Sequence, residues 1–222
     1  MEKAQIEAIF FDFDGTLAET ARDVVASWKV ALETCGVYTP ELERNFRIGP
    51  SVEAQVKRLF PDCKDQTLLN NLRDAFKKDY DFSAFPTTTA YACGLKLCKE
   101  LAARGKKLYI VTNKRWYSTC SLSAKLGYKP FVAGIYSPDV LEGTHLDKPE
   151  FLKLAVRISG VDPEKCLMIG DTELDIQAGK AVGIKTCAVT WGYGVPETVA
   201  AANPDCYMHE TTAIADFDKY FC

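Results

Sequence analysis

The string Asp12-Phe13-Asp14-Gly15-Thr16 sets two carboxylates at i and i+2 directly after a short apolar run. In extended backbone, residues two apart point the same way, so both charges enter one space and need a cation or a proton between them. Magnesium suits that space, because it is a hard ion that takes oxygen ligands and keeps some of its water. The chemistry open to such a pair is phosphoryl transfer. Attack by Asp12 would give an acyl phosphate, a labile species that water hydrolyses in a second step. Asp14 would protonate the leaving alkoxide and later take a proton from the attacking water. Gly15 lets backbone come close to a substrate, and Thr16 offers a hydroxyl or an amide donor. The plain alternative is a surface Asp-Gly turn.

Other polar residues follow other apolar runs. Thr112 ends Leu108-Tyr109-Ile110-Val111 and can hydrogen-bond a phosphoryl oxygen. Lys148 precedes Pro149 at the start of a helical stretch, where its cation could neutralise charge developing in a transition state. Gly170-Asp171-Thr172-Glu173-Leu174-Asp175 adds carboxylates at i and i+4, close enough for one to bind metal and the other to support it. Each has a commoner role. A lone Thr or Lys is more often solvated or capping, and an Asp at a helix start is often an N-cap.

The elements that must position these residues are legible. Ala8-Ile9-Phe10-Phe11, Leu108 to Val111, Leu167-Met168-Ile169 and Thr186 to Val189 are continuous apolar runs, the pattern of strands buried on both faces of a parallel sheet. Helical stretches lie between them: 88–104 before Gly105, 116–126 before Gly127, 149–159 before Gly160 and 175–182 before Gly183, each glycine standing where a helix ends. Alternation of strand and helix predicts an α/β fold with a doubly wound, mostly parallel sheet. Ligands of such sheets bind beyond the carboxyl ends of the strands, where the polar residues accumulate. Residues 17–84 break the alternation with three helical stretches, 21–35, 51–60 and 66–81. They are expected to form a helical cap domain over the strand ends, with residues 1–16 and 85–222 as the core domain.

The chain has 222 residues, 47% apolar and 26% charged, with a net charge of −3. That composition suits a globular enzyme and supplies no basic face for nucleic acid. Nine cysteines, an odd number with no Cys-x-x-Cys pair, read as reduced thiols of a cytoplasmic protein. The opening Met1-Glu2-Lys3-Ala4-Gln5 leads into an apolar run too short for a signal or a membrane span. His145 and His209 are the two histidines, too few for a multi-histidine metal site. Signatures of nucleotide-triphosphate, dinucleotide and serine-hydrolase sites are missing from the sequence.

Four segments together, Asp12-Phe13-Asp14-Gly15-Thr16-Leu17, Val111-Thr112-Asn113-Lys114, Lys148-Pro149 and Gly170-Asp171-Thr172 with Asp175, resemble in order and spacing the haloacid dehalogenase superfamily. The similarity is greatest to its phosphoglycolate phosphatase-like branch with a helical cap, and Trp191-Gly192-Tyr193-Gly194 adds to it. The resemblance implies Asp12 as nucleophile, Asp14 as general acid and base, and Thr112 and Lys148 as phosphate holders, with Gly15, Thr16 and Asn113 also facing substrate. It implies magnesium held by Asp12, the Asp14 carbonyl and Asp171, with Asp175 in support. Ala18-Glu19-Thr20 departs from the acidic-serine pair of relatives, and Tyr136-Ser137-Pro138-Asp139 from a Gly-Asp turn. Asp14 favours phosphate over halide chemistry. A phosphonate reading would need a cap lysine, for which Lys57 and Lys64 qualify only by type.

The expected activity is magnesium-dependent hydrolysis of small phosphate monoesters through an aspartyl phosphate. Pyrophosphate, sugar phosphates and nucleotides are alternative substrates within the family. A non-catalytic phosphate-binding regulator is the alternative of another class, disfavoured because a binder has no use for an acid and base beside a nucleophile. The expected partner is a small phosphorylated metabolite, with no nucleic acid or membrane, and the expected state is a monomer or homodimer. Arg44, Arg47 and Ser51 could reach a substrate from the cap, although a solvated turn explains them equally well.

Overall fold

The computed structural model describes residues 5–141 and 146–221. What the sequence suggested for residues 1–4 and for His145 lies outside them. The chain forms two compact units, one made of the residues up to Glu19 and from Ala90 onward, the other of Thr20–Thr89. Its strands are β1 (Ala8–Phe11), β2 (Ala18–Glu19), β3 (Thr89–Ala90), β4 (Lys107–Val111), β5 (Val132–Tyr136), β6 (Cys166–Gly170), β7 (Lys185–Val189) and β8 (Cys206–Met208). Its helices are α1 (Ala21–Thr34), α2 (Pro40–Arg44), α3 (Val52–Leu59), α4 (Gln66–Phe82), α5 (Ala92–Ala103), α6 (Trp116–Lys125), α7 (Lys148–Ser159), α8 (Glu173–Val182), α9 (Pro196–Ala201) and α10 (Ala213–Phe221).

In the α/β unit six strands pair in parallel in the order β5-β4-β1-β6-β7-β8, so the sheet is fully parallel. All four residues of β1 are buried, which is why its sequence is apolar without alternation. It is the third strand, with β4 and β5 on one side and β6 to β8 on the other. Phe10 stacks on Tyr109 with ring centroids 5.2 Å apart, and both join a cluster with Phe151, Leu152, Met168 and Ile184. Each large apolar side chain buried there stabilises the sheet by about 1.5–3 kcal/mol, which makes the strand ends a rigid platform. The ladder runs one residue past β1, because the Asp12 N–H donates to the Ile169 carbonyl at 2.8 Å. Thr112 likewise donates its N–H to the Tyr136 carbonyl at 3.0 Å. Both chemical residues are therefore fixed by sheet hydrogen bonds.

The helices carry their own stop signals. Gly160 and Gly183 close α7 and α8 with φ of +67° and +80°, a conformation that costs glycine little and other residues more. One expectation for the α/β unit needs correction. The helical stretch placed at 88–104 begins only at Ala92, because the Tyr91 N–H is spent on the Leu17 carbonyl at 2.9 Å and residues 89–90 form β3. The edge strands β5 and β8, together with α10, had no clear apolar run to announce them.

The unit Thr20–Thr89 is built from α1 to α4, with Trp28 stacked on Phe76 at 4.2 Å and Phe76 on Tyr80 at 5.4 Å. Its limits fall later in sequence than 17 and 84. Leu17 to Glu19 group with the α/β unit, where Tyr128 Oη donates to the Leu17 carbonyl at 2.6 Å. At the other end Phe85 packs edge-on against Tyr80. Thr87 and Thr88 are tied to Asp23 of α1, whose carboxylate accepts from both hydroxyls at 2.7 and 2.6 Å and from both amides at 3.2 and 2.9 Å. Burial opposes ionisation of Asp23, but these donors prevail and hold its pKa below the ordinary value. Asp23→Ala is therefore expected to lower the stability of this unit by about 2–4 kcal/mol at pH 7, measured by urea unfolding. A depressed carboxyl gives its full stabilisation above its ordinary pKa of 3.8 and loses it as pH falls through the lower folded value, so the gap between variant and wild type should hold down to that ordinary pKa and narrow below it. A loss below about 0.5 kcal/mol at neutral pH would remove this account.

Among the described residues no helix is long and apolar enough to cross a membrane.

Candidate active site

Four buried carboxylates and two buried ammonium groups meet beyond the carboxyl ends of β1, β4 and β6. Asp12, Asp14, Asp171 and Asp175 supply the negative charges, Lys114 and Lys148 the positive ones. Asp12 and Asp171 follow neighbouring strands, since Phe11 pairs with Ile169 in the register of β1 and β6. One oxygen from each of Asp12, Asp171 and Asp175 can be chosen so that all three lie within 4.8 Å of one another, a spacing that one cation can span.

Lys148 is the first residue of α7. Its Nζ lies 2.6 Å from Asp12 Oδ1 and 2.5 Å from Asp175 Oδ1, so one ammonium holds two carboxylates. Burial works against that ammonium, yet Asp12 and Asp175 outweigh it and keep Lys148 charged. Asp175 Oδ2 accepts from the N–H and the hydroxyl of Thr172 at 3.0 and 2.8 Å. Asp175 thus tethers the start of α8 and orients Lys148. The N-cap there is Thr172 rather than either aspartate.

Asp14 turns its carboxylate to Lys114, whose Nζ is 3.1 Å from both oxygens. In the sequence Lys114 stands out only as part of Val111-Thr112-Asn113-Lys114. The signal available was a basic residue three positions past a strand end, and only the fold shows that the lysine is buried. Thr112 Oγ accepts from the Lys114 N–H at 3.2 Å, which directs the turn and leaves the hydroxyl proton available for an acceptor. Asn113 lies half-buried in the same turn.

Gly15 and Thr16 have further tasks. Gly15 has φ of +83°, and a Cβ there would run into the Asp171 carboxylate and come within 2.8 Å of Tyr193 Cδ2. The Thr16 hydroxyl donates to Asp171 Oδ1 at 3.2 Å. Both residues therefore serve the approach of Asp171 to the first loop, in addition to any contact with substrate.

Burial pushes the Asp12 carboxyl up to about 7, since the nearby charges of Asp175 and Asp14 offset much of the help from Lys148. Burial, then the charges of Asp12 and Asp175, push Asp171 well above the carboxylate range. If all four carboxylates were ionised, the two ammonium groups would leave two negative charges unbalanced in a buried space; the raised Asp12 and Asp171 relieve that excess with protons, whose place a divalent cation would take. The oxygen-only donor set fits magnesium rather than a soft metal.

Residues outside the array resolve plainly. Lys57 and Lys64 are exposed on the surface, Ser51 caps α3 by accepting from the Ala54 N–H at 3.3 Å, and Arg47 donates to the Phe46 carbonyl at 3.2 Å. His209 is exposed and bonded to Asp216.

Residues 9–189 match the sequence profile of the family described as haloacid dehalogenase-like hydrolase. The chain belongs to this family. It is 33% identical over 208 residues to a pyrophosphatase of Bacillus pumilus, covering 92% of this chain and 93% of that one. A phosphoglycolate phosphatase of Aquifex aeolicus is 29% identical, over 85% of this chain and 86% of its own. A haloacid dehalogenase-like hydrolase from Streptococcus pneumoniae superposes with a TM-score of 0.82 at 25% identity, over 96% of this chain and 98% of its own. The likenesses span both units, so the insert between β1 and β4 belongs to the pattern shared with these proteins.

Proposed function

We propose that this chain is a magnesium-dependent phosphatase that hydrolyses small phosphate monoesters through a phosphoryl group carried on Asp12. It is an enzyme of the haloacid dehalogenase-like family, and its relatives bear the names of phosphatases and pyrophosphatases. The observation that carries the reading is the buried array at the ends of β1 and β6: Asp12 held by Lys148, with Asp171 and Asp175 close enough to share a cation with it. A protein that only bound phosphate would gain nothing from four buried carboxylates, which repel the ligand.

Asp12 attacks phosphorus, and the bond to the ester oxygen breaks. Asp14, buried beside Lys114, delivers the proton that the departing alkoxide needs. The Thr112 hydroxyl and Lys148 hold the phosphoryl oxygens while charge moves onto them. Water then attacks the acyl phosphate, Asp14 takes its proton, and Asp12 is regenerated with release of phosphate. Asp12, the Asp14 carbonyl and Asp171 would hold magnesium, which lowers the repulsion between substrate and carboxylates when bound. Asp175 serves Lys148, both of its oxygens already being engaged.

Phosphoglycolate heads the list of substrates, with pyrophosphate as the specific alternative because a pyrophosphatase is among the relatives. Phosphate release from a panel of both, with sugar phosphates and nucleoside monophosphates, tests the reading. Chelation by EDTA should lower turnover at least about 100-fold, and added magnesium should restore it. A protonated Asp12 cannot hold the cation, so with its carboxyl pushed up to about 7 the magnesium needed for half-maximal rate should fall as pH rises from 6 to 8. A requirement that is flat or rises across that interval would count against Asp12 as a ligand.

A further inference from the structure

We propose that Tyr193 and its anchors Tyr91 and Glu19 are positioning residues that set the affinity of Asp171 for the cation, without touching the cation themselves. The inference rests on the metal role proposed above and adds residues that lie outside the ligand set.

Asp171 is held by more than its own strand. Its Oδ2 accepts from the backbone N–H of Tyr193 at 2.6 Å, the shorter of its two hydrogen bonds to the surrounding loops. Tyr193 belongs to the loop Trp191-Gly192-Tyr193-Gly194 that follows β7. Both glycines of that loop lie against Asp171. A Cβ at Gly192 would collide with the Asp171 side chain, and one at Gly194 with the Asp171 carbonyl. Trp191 fastens the other side, its Nε1 donating to the Thr16 carbonyl at 3.1 Å, while Thr16 donates to the second oxygen of Asp171. One loop therefore wraps the carboxylate and is pinned to the turn that bears Asp12 and Asp14.

The loop is braced in turn. The Tyr193 side chain hydrogen-bonds Tyr91, and Tyr91 Oη donates to Glu19 Oε2 at 3.1 Å. The path Asp171, Tyr193, Tyr91, Glu19 thus consists of successive hydrogen bonds inside the α/β unit. Its far end sits where the chain leaves that unit, at Glu19, and one residue after it returns at Ala90. A carboxylate with both oxygens held by donors presents its remaining lone pairs in one orientation, so the cation meets a set ligand rather than one that must be ordered on binding. Loss of the brace should weaken metal binding before it affects chemistry.

The test uses the full chain, with magnesium alone as the probe. Isothermal calorimetry compares wild type with Tyr193→Phe, Tyr91→Phe and Glu19→Gln, none of which alters a ligand. We expect magnesium affinity to fall about tenfold in Tyr193→Phe and Tyr91→Phe, as for outer partners of other metal ligands, and less in Glu19→Gln. In assays the half-saturating magnesium should rise by the same factor, while turnover at saturating magnesium changes by a smaller one. Gly192→Ala, which drives a Cβ into Asp171, should lose at least about 100-fold. If that variant does not fold, the two phenylalanine variants decide. Unchanged affinity in both, or a lower melting temperature in EDTA with unchanged affinity, overturns the inference. Failure of the wild type itself to bind magnesium would instead overturn the function proposed above, so the two failures are distinguishable.

Discussion

Asp12→Asn should abolish phosphate release, with turnover falling at least about 10⁴-fold, while the protein stays folded. The substitution keeps the shape and the strand hydrogen bond from the residue 12 amide to Ile169, and it removes the oxygen proposed as nucleophile. Its effect on stability has a definite sign. The folded Asp12 carboxyl is pushed from 3.8 to about 7, so between those values the folded chain keeps a proton that the unfolded chain has lost. Stability at this position therefore falls as pH rises through that window, and ionisation is a cost to the fold. Asparagine carries no such cost. In EDTA at pH 8 the variant should melt no lower than wild type, and its melting temperature should gain less from added magnesium. Scanning fluorimetry paired with a phosphate assay reads both quantities. A folded variant with wild-type turnover would remove the mechanism, and one that melted far below wild type would contradict the assigned cost of burying Asp12.

The parts of this site that were legible in the sequence are those where one residue type has few other uses. Two aspartates flanking Phe13 after a fully apolar run have no reason to lie beyond a buried strand unless something positive joins them, and the ends of β1, β4, β6 and β7 could be placed from such runs. The edge strands were hidden for the converse reason. Strand β5 is only partly covered and carries Gly134, and β8 has three residues, so neither presents a continuous apolar signal. Helix α2 spans five residues with none buried, although Thr39 and Pro40 supplied a cap and a first-turn proline. The tasks of Lys114 and Tyr193, though not the residues themselves, were silent because they depend on long-range contact. A lysine is almost always solvated, and nothing local tells that Lys114 meets Asp14 a hundred residues away. The backbone N–H of Tyr193 has no sequence signature at all. Glycines 192 and 194 were visible as residues, but their reason, the close approach to Asp171, exists only in three dimensions.

Lys148→Met should cost both activity and fold, and the two losses can be separated. The side chain is buried with its ammonium between Asp12 Oδ1 and Asp175 Oδ1, so removing it leaves two carboxylates facing each other without a counter-charge. Breaking a buried pair in this way typically costs about 3–5 kcal/mol, because the orphaned charge remains desolvated. Turnover should fall about 10³-fold, since a charged donor to the transferring phosphoryl group is lost. The double variant Lys148→Met with Asp175→Asn removes one of the stranded charges. It should recover at least about half of the lost stability in urea unfolding at pH 8, yet recover no turnover, because the phosphate still lacks its cation. Lys148→Arg should not rescue turnover either: a planar guanidinium does not fit a pocket shaped for one Nζ between two oxygens. If the double variant regained activity along with stability, Lys148 would be a strut for the carboxylates and not a participant in the reaction. Recovery of neither would show that Asp175 has a larger task than restraining this lysine, as a ligand of the cation itself.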